Sequence, residues 1–81
     1  MAYIIRSNGT VEQLSPRKKF TLEDLQAAVG GYIEAIPGSH NRAFCNEEGL
    51  LRNLPLNPLA SEDFHRRLVG DVVVLEKGDH Q

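Results

Sequence analysis

The chain has 81 residues, a formal net charge of −2 and a pI near 5.8. That length makes one domain with a small core. The mildly acidic balance excludes the basic face of a dedicated DNA or RNA binder, and no apolar run approaches the ~20 residues that span a membrane. A lone cysteine, Cys45, leaves no internal disulfide, and three scattered histidines without cysteine partners do not make a zinc site. A core of this size rarely supplies more than ~3–5 kcal/mol without a staple, so a homo-oligomer is expected. The N-terminus lacks a signal peptide's basic start and long apolar stretch, and a single thiol suits a reducing compartment. The expected location is the cytoplasm, with no cofactor.

Tyr3 to Arg6 and Thr10 to Leu14 read as a hairpin around Asn8-Gly9, the dipeptide that favours a type I′ turn. Arg17, Lys18 and Lys19 follow in a basic loop opened by Pro16. Leu22 to Val29 is the clearest helix. Thr21 and Asp24 form a variant of the capping box, Phe20 and Leu25 stand where a hydrophobic staple places its members, and Gly30 supplies the stop. Leu22, Leu25 and Val29 make its apolar face. Because Gly30-Gly31 ends a helix instead of opening one, it is not a phosphate loop.

"YIEAI" reads as a strand with Tyr32, Glu34 and Ile36 on one face and Ile33 and Ala35 on the other. "RAFCN" is its return, Glu47 to Gly49 turn the chain, and "LLRNL" is expected to pair back as a short edge strand. "NPLASEDFHRRL" reads as a second helix, with Asn57 as cap, Pro58 at the first position, and Glu62 and Asp63 placed four residues before Arg66 and Arg67. Ala60, Phe64 and Leu68 would share its inner face. "DVVVLE" closes the fold as a central strand covered on both faces, and "KGDHQ" is a polar tail. The expected class is α+β: a single domain over residues 1–81, about five mostly antiparallel strands in hairpins and two short helices, in the order ββαβββαβ.

No histidine–carboxylate or serine–histidine spacing stands out, so no catalytic residue is expected. The stretch "NEEGLLRNLPLNP" is different. Asn57 is explained as a cap and Gly49 as a turn residue, whereas Asn46, Glu47 and Asn53 have no such assignment. A few directional polar groups beside leucine pairs are what a small-ligand pocket needs, and an ordinary turn before a capped helix is the plainer alternative. Cys45 on a strand reads as a small buried hydrophobe.

The pattern "TLEDLQAAVGGYIEAI … NEEGLLRNLPLNPLA … VGDVVVL", about residues 20 to 75, resembles a family of small proteins encoded by phages, plasmids and their bacterial hosts. That family is defined as a domain of unknown function. The resemblance implies an accessory role in conflict with a host, in the host cytosol if the chain is phage-encoded, and carries over no catalytic residue. Two readings follow from that setting by analogy. One is a counter-defence sponge that binds a nucleotide immune signal such as a cyclic dinucleotide. Arg42, Arg52 or Arg66 would meet phosphate, Tyr32 or Phe44 would stack on a base, and Asn46 and Asn53 would read base or ribose edges, with Glu34 and Glu47 nearby. It needs at least ~8 kcal/mol of affinity to compete with a host receptor. The other is a protein-interaction module that inhibits or adapts a host protein, which requires an exposed apolar patch or a free strand edge. The "LLRNLPL" run would serve it.

Overall fold

A computed structural model describes residues 2–14 and 20–76. The expected basic loop at 15–19 and the tail at 77–81 lie outside the described residues. The elements run β1 (Tyr3–Ile5), β2 (Val11–Gln13), α1 (Leu22–Val29), β3 (Ile33–Ala35), β4 (Ala43–Asn46), α2 (Pro58–Phe64) and β5 (Val72–Val74). The strands form one antiparallel sheet in the order β2-β1-β5-β4-β3. The class is α+β, as the residues imply.

β5 is the middle strand, and its valine run is continuous because both its faces are covered. Val73 joins Ile4, Phe20, Leu25, Val29, Phe44 and Leu75 beneath α1. Val72 and Val74 point the other way and join Ile5, Ile36, Ala43, Cys45, Ala60 and Leu68 on the α2 side. The alternation in β3 falls as expected: Ile33 and Ala35 pack toward α1, and Ile36 belongs to the opposite core.

α1 forms where its caps require. The Thr21 hydroxyl accepts from the Asp24 amide at 3.1 Å, and the Asp24 carboxylate accepts from the Thr21 amide at 2.9 Å. Phe20 and Leu25 are both buried, as a staple demands, whereas Leu22 is half exposed and stands off the core. Gly30 and Gly31 both donate to the Gln26 carbonyl, with Gly30 in the left-handed region.

Four expectations are corrected. The first hairpin does not use a type I′ turn. Gly9 alone has positive φ, its amide donates to Arg6 O, and Arg6 N donates to Thr10 O, giving a three-residue loop with a glycine bulge. Asn8 stays outside the left-handed region, and its Oδ1 accepts from both the Thr10 amide and the Thr10 hydroxyl.

The second correction concerns residues 50–54, which are not an edge strand, so the order is ββαββαβ. Arg52 N donates to Glu48 O, Asn53 N to Leu50 O, and Leu54 N to Gly49 O, with Asn53 at φ 52°. That is one helical turn ended by a Schellman-type stop.

The third is that α2 ends at Phe64. His65 adopts the left-handed conformation, and Arg66 N returns to Ser61 O. Fourth, Arg66, Arg67 and Leu68 therefore lie past the helix, and the carboxylate–guanidinium spacing read as a helix-surface pairing does not act on one helix face. The Ser61 hydroxyl accepts from Leu68 N at 2.9 Å, folding the connector back under the helix.

Asn57 holds this region together. It is fully buried. Its Oδ1 accepts from the Ala60 amide, capping α2, while its Nδ2 donates to Ile5 O at 2.8 Å and to Gly70 O at 2.9 Å. One side chain thus ties α2 to the end of β1 and to the entry of β5. Beside it, Leu56 and Val69 make an isolated antiparallel bridge. Arg6 adds a clamp from the hairpin, pairing with Glu12 and with Asp71 at 2.8 Å, while Asp71 also accepts from Ser7 N.

Candidate functional site

α1 packs against β3, β4 and β5 on one face of the sheet; α2 joins the core of the other face through Ala60 and Phe64, where the β3–β4 part also borders open space. Two adjoining depressions lie there, of ≈ 360 and ≈ 270 Å³. They share Glu34, Cys45, Arg67 and Leu68, so they form one groove. Strand alternation places Glu34 and Cys45 on its floor, since Glu34 pairs with Cys45 in the β3–β4 ladder. Arg66 and Arg67 reach it because α2 stops at His65, and Leu50 and Leu51 close its far end.

The leucine end is a built feature. Asn46 Oδ1 accepts from the Glu48 amide at 2.8 Å and starts the 48–54 turn, and Asn46 Nδ2 donates to Val29 O at 3.2 Å. Arg52 Nη1 donates to Gly30 O at 2.9 Å. An amide and a guanidinium therefore meet the carbonyl end of α1, where unpaired acceptors and the helix dipole favour donors and positive charge. On its other side the turn presses on the α2–β5 connector: a Cβ at Gly49 would lie 2.8 Å from a methyl of Val69. Held on both sides, the turn presents Leu50 and Leu51 to solvent at 75% and 84% exposure.

The eight residues expected to bind a ligand divide into four groups. Glu34, Asn46 and Glu47 line the groove, with the Asn46 side chain committed to the α1 cap. Tyr32 is exposed and neighbours Glu47 across the ladder, where Glu47 N donates to Tyr32 O. Phe44 is buried under α1, which corrects the expectation that its ring stacks on a base. Arg42, Arg52 and Asn53 do not join the groove: Arg42 stands at the opposite end of β4, Arg52 caps α1, and Asn53 supplies the left-handed stop. The assignments missing for Asn46 and Asn53 in the sequence are thus conformational. Every buried side-chain nitrogen and oxygen among the described residues has a hydrogen-bond partner. The groove residues that sequence reasoning placed elsewhere are Arg67, read as helix surface, and Cys45, read only as packing. The strand alternation that pairs Cys45 with Glu34 was the available signal for the second.

The chain matches, over residues 1–81, the family model described as Domain of unknown function (DUF3846). It belongs to that family. No curated protein and no solved structure matches it. Membership agrees with the resemblance at the level of a family defined without a function, and leaves the chemistry of the groove to be read from this family member's own residues.

The Cys45 thiol on the groove floor is disfavoured as a thiolate. The Cys45 Sγ lies 3.8 Å from Glu34 O and 4.0 Å from Glu34 Oε1. Burial first, and the Glu34 charge second, push its thiol above the ordinary range. The native protein is expected to react with iodoacetamide at pH 8 at least ~10-fold more slowly than the urea-unfolded chain. The folded state keeps a proton that the unfolded thiol releases, so stability holds below ~8.5 and falls as pH rises through that value toward the folded one. Thermal melts between pH 7 and 10, compared with a Cys45→Ala variant, check it.

Proposed function

We propose that this protein is a non-enzymatic interaction module, of phage or plasmid accessory type, that binds a host protein through the Leu50–Leu51 turn and the groove beside it. The observation that carries the reading is the near-complete exposure of two adjacent leucines on a turn pinned to the C-terminus of α1. A turn mobile enough to hide its leucines would reduce their cost in water, whereas this one keeps them outward. Rigid apolar side chains rimmed by charged groups suit a protein partner. Here the rim comprises Glu47, Arg67 and Glu34.

The experiment is quantitative co-purification from host cells with wild type and with Leu50→Glu/Leu51→Glu. The substitutions sit on exposed positions, so thermal stability should change by no more than ~0.5 kcal/mol. One host protein is expected at near-equal stoichiometry with the wild type and depleted at least ~10-fold with the variant, as two lost apolar anchors imply. Equal recovery with both would reject the reading.

The nucleotide sponge is the second reading, and Arg66 and Arg67 on the groove wall support it, since paired guanidiniums suit phosphates. It ranks lower for three reasons. Glu34 and Glu47 stand in the same groove, Phe44 is a core residue, and the Asn46 amide is already bonded. A cyclic dinucleotide that raised the melting temperature of the Leu50→Glu/Leu51→Glu variant as much as the wild type would reverse the ranking.

A further inference from the structure

Arg66 and Arg67 line the groove without an intramolecular partner. The sequence offers each a carboxylate four residues back, Glu62 and Asp63. Neither pair forms, because α2 stops at Phe64 and His65 takes the left-handed conformation, an uncommon one for a residue with a Cβ. Among the described residues neither guanidinium has a hydrogen bond or an ion pair, whereas Arg6 is held by Glu12 and Asp71 and Arg52 by the end of α1.

The charge along the groove is uneven. In the depression that reaches Ile36 and Pro37, Arg66 and Arg67 stand with one carboxylate, Glu34. In the depression that reaches Leu50 and Leu51, Arg67 stands with two, Glu34 and Glu47. One end is therefore net positive, and the other is net negative and apolar. All four charged residues are exposed and open to a partner.

We propose that the partner protein seats an acidic–apolar segment in this groove, with a carboxylate on Arg66 and Arg67, a hydrophobic side chain on Leu50 and Leu51, and no acidic residue between them. The assignment rests on the interaction reading and adds the partner's chemistry to it. Guanidiniums take carboxylates through paired hydrogen bonds. Glu34, shared by both depressions, and Glu47 repel a second acid placed further along, which fixes the direction of the segment. A peptide can keep its acids at one end. A ligand with phosphates spread along it meets both glutamates.

For the test, the protein retained by the wild type is identified by mass spectrometry, remade and titrated into wild type, Leu50→Glu/Leu51→Glu, Arg66→Glu/Arg67→Glu and Glu34→Gln/Glu47→Gln. Thermal melts matching wild type show that each variant keeps its fold. The arginine reversal is expected to weaken binding at least ~10-fold. Removing the two glutamate charges is expected to tighten it at least ~3-fold, a gain that a merely disturbed fold does not produce. Raising salt from ~0.1 to ~0.5 M should shrink both differences, since exposed charges are screened. Unchanged affinity in the arginine variant, or no gain in the glutamine variant, overturns the proposal. If the leucine variant still loses the partner, the interaction reading stands without it. Equal affinity across all four proteins, or no protein retained by the wild type, overturns both. Loss of the partner on nuclease treatment also overturns the proposal, and gives Arg66 and Arg67 to nucleic-acid phosphate.

Discussion

Asn57→Ala is expected to lower the unfolding free energy by about 3 kcal/mol, the sum of a lost helix cap at ~1 and two buried carbonyls left without a donor at ~1 each. Asn57 has no exposed surface, and all three of its bonds are to backbone groups far apart in the chain: Ala60 N, Ile5 O and Gly70 O. For a domain of this size, that is a quarter or more of a total of roughly 4–12 kcal/mol. The melting temperature should fall by on the order of 15 °C. Circular dichroism during urea and thermal unfolding reads it, since the chain has no tryptophan. Asn57→Ser separates the parts. Serine keeps an oxygen for the cap but has no amide to reach both carbonyls, so it should recover about 1 kcal/mol of the loss. A serine variant as stable as wild type would mean that the bonds to Ile5 and Gly70 contribute nothing.

Asn46→Ala is expected to cost about 2 kcal/mol, because it leaves Val29 O without its donor and the Glu48 amide without its acceptor. The consequence is local as well as global. The 48–54 turn loses its start, so amide exchange at Arg52, Asn53 and Leu54, whose bonds close that turn, should accelerate. Binding through Leu50 and Leu51 should weaken with it, since those leucines would lose their fixed orientation and an ordering cost would fall on binding. A variant that melts with wild type and keeps its exchange protection would return Asn46 to the role of a ligand-reading side chain.

The parts of the fold legible in the residues are those specified within a few positions. Thr21 and Asp24 close the capping box on each other, Gly30 stops the helix four residues after Gln26, and Asn57-Pro58 starts the next one. Each is a contact within one turn of chain, so its signal is complete in the sequence. The valine run of β5 also carried its own message: three consecutive apolar residues are stable only where both faces are covered, and β5 is the central strand.

The misreadings share a cause. "LLRNL" fits a short strand or a single helical turn equally well by apolar pattern, and the choice was made by Asn46 at one end and by Asn53 in the left-handed region at the other. "SEDFHRRL" has the charges of a longer helix. It ends at His65 because Leu68 must return to the Ser61 hydroxyl and to Asn57 N, which brings Val69 opposite Leu56. Phe44 stands in a strand buried at every position, so alternation says that its neighbours face away from it but not which face lies under α1.

The class of the fold, its central strand and the starts of both helices belong to the chain itself, because hydrogen bonds within one turn of chain and the hydrophobic pattern along it specify them. The groove belongs to the tertiary structure. Glu34 and Cys45 meet only when β3 and β4 pair, Arg67 joins them only because α2 stops short, and the leucines face outward only because the C-terminus of α1 arrives beside Asn46 and Arg52. Those are contacts between residues 11 to 33 positions apart, and no pattern within a helical turn or a strand encodes which of them will form.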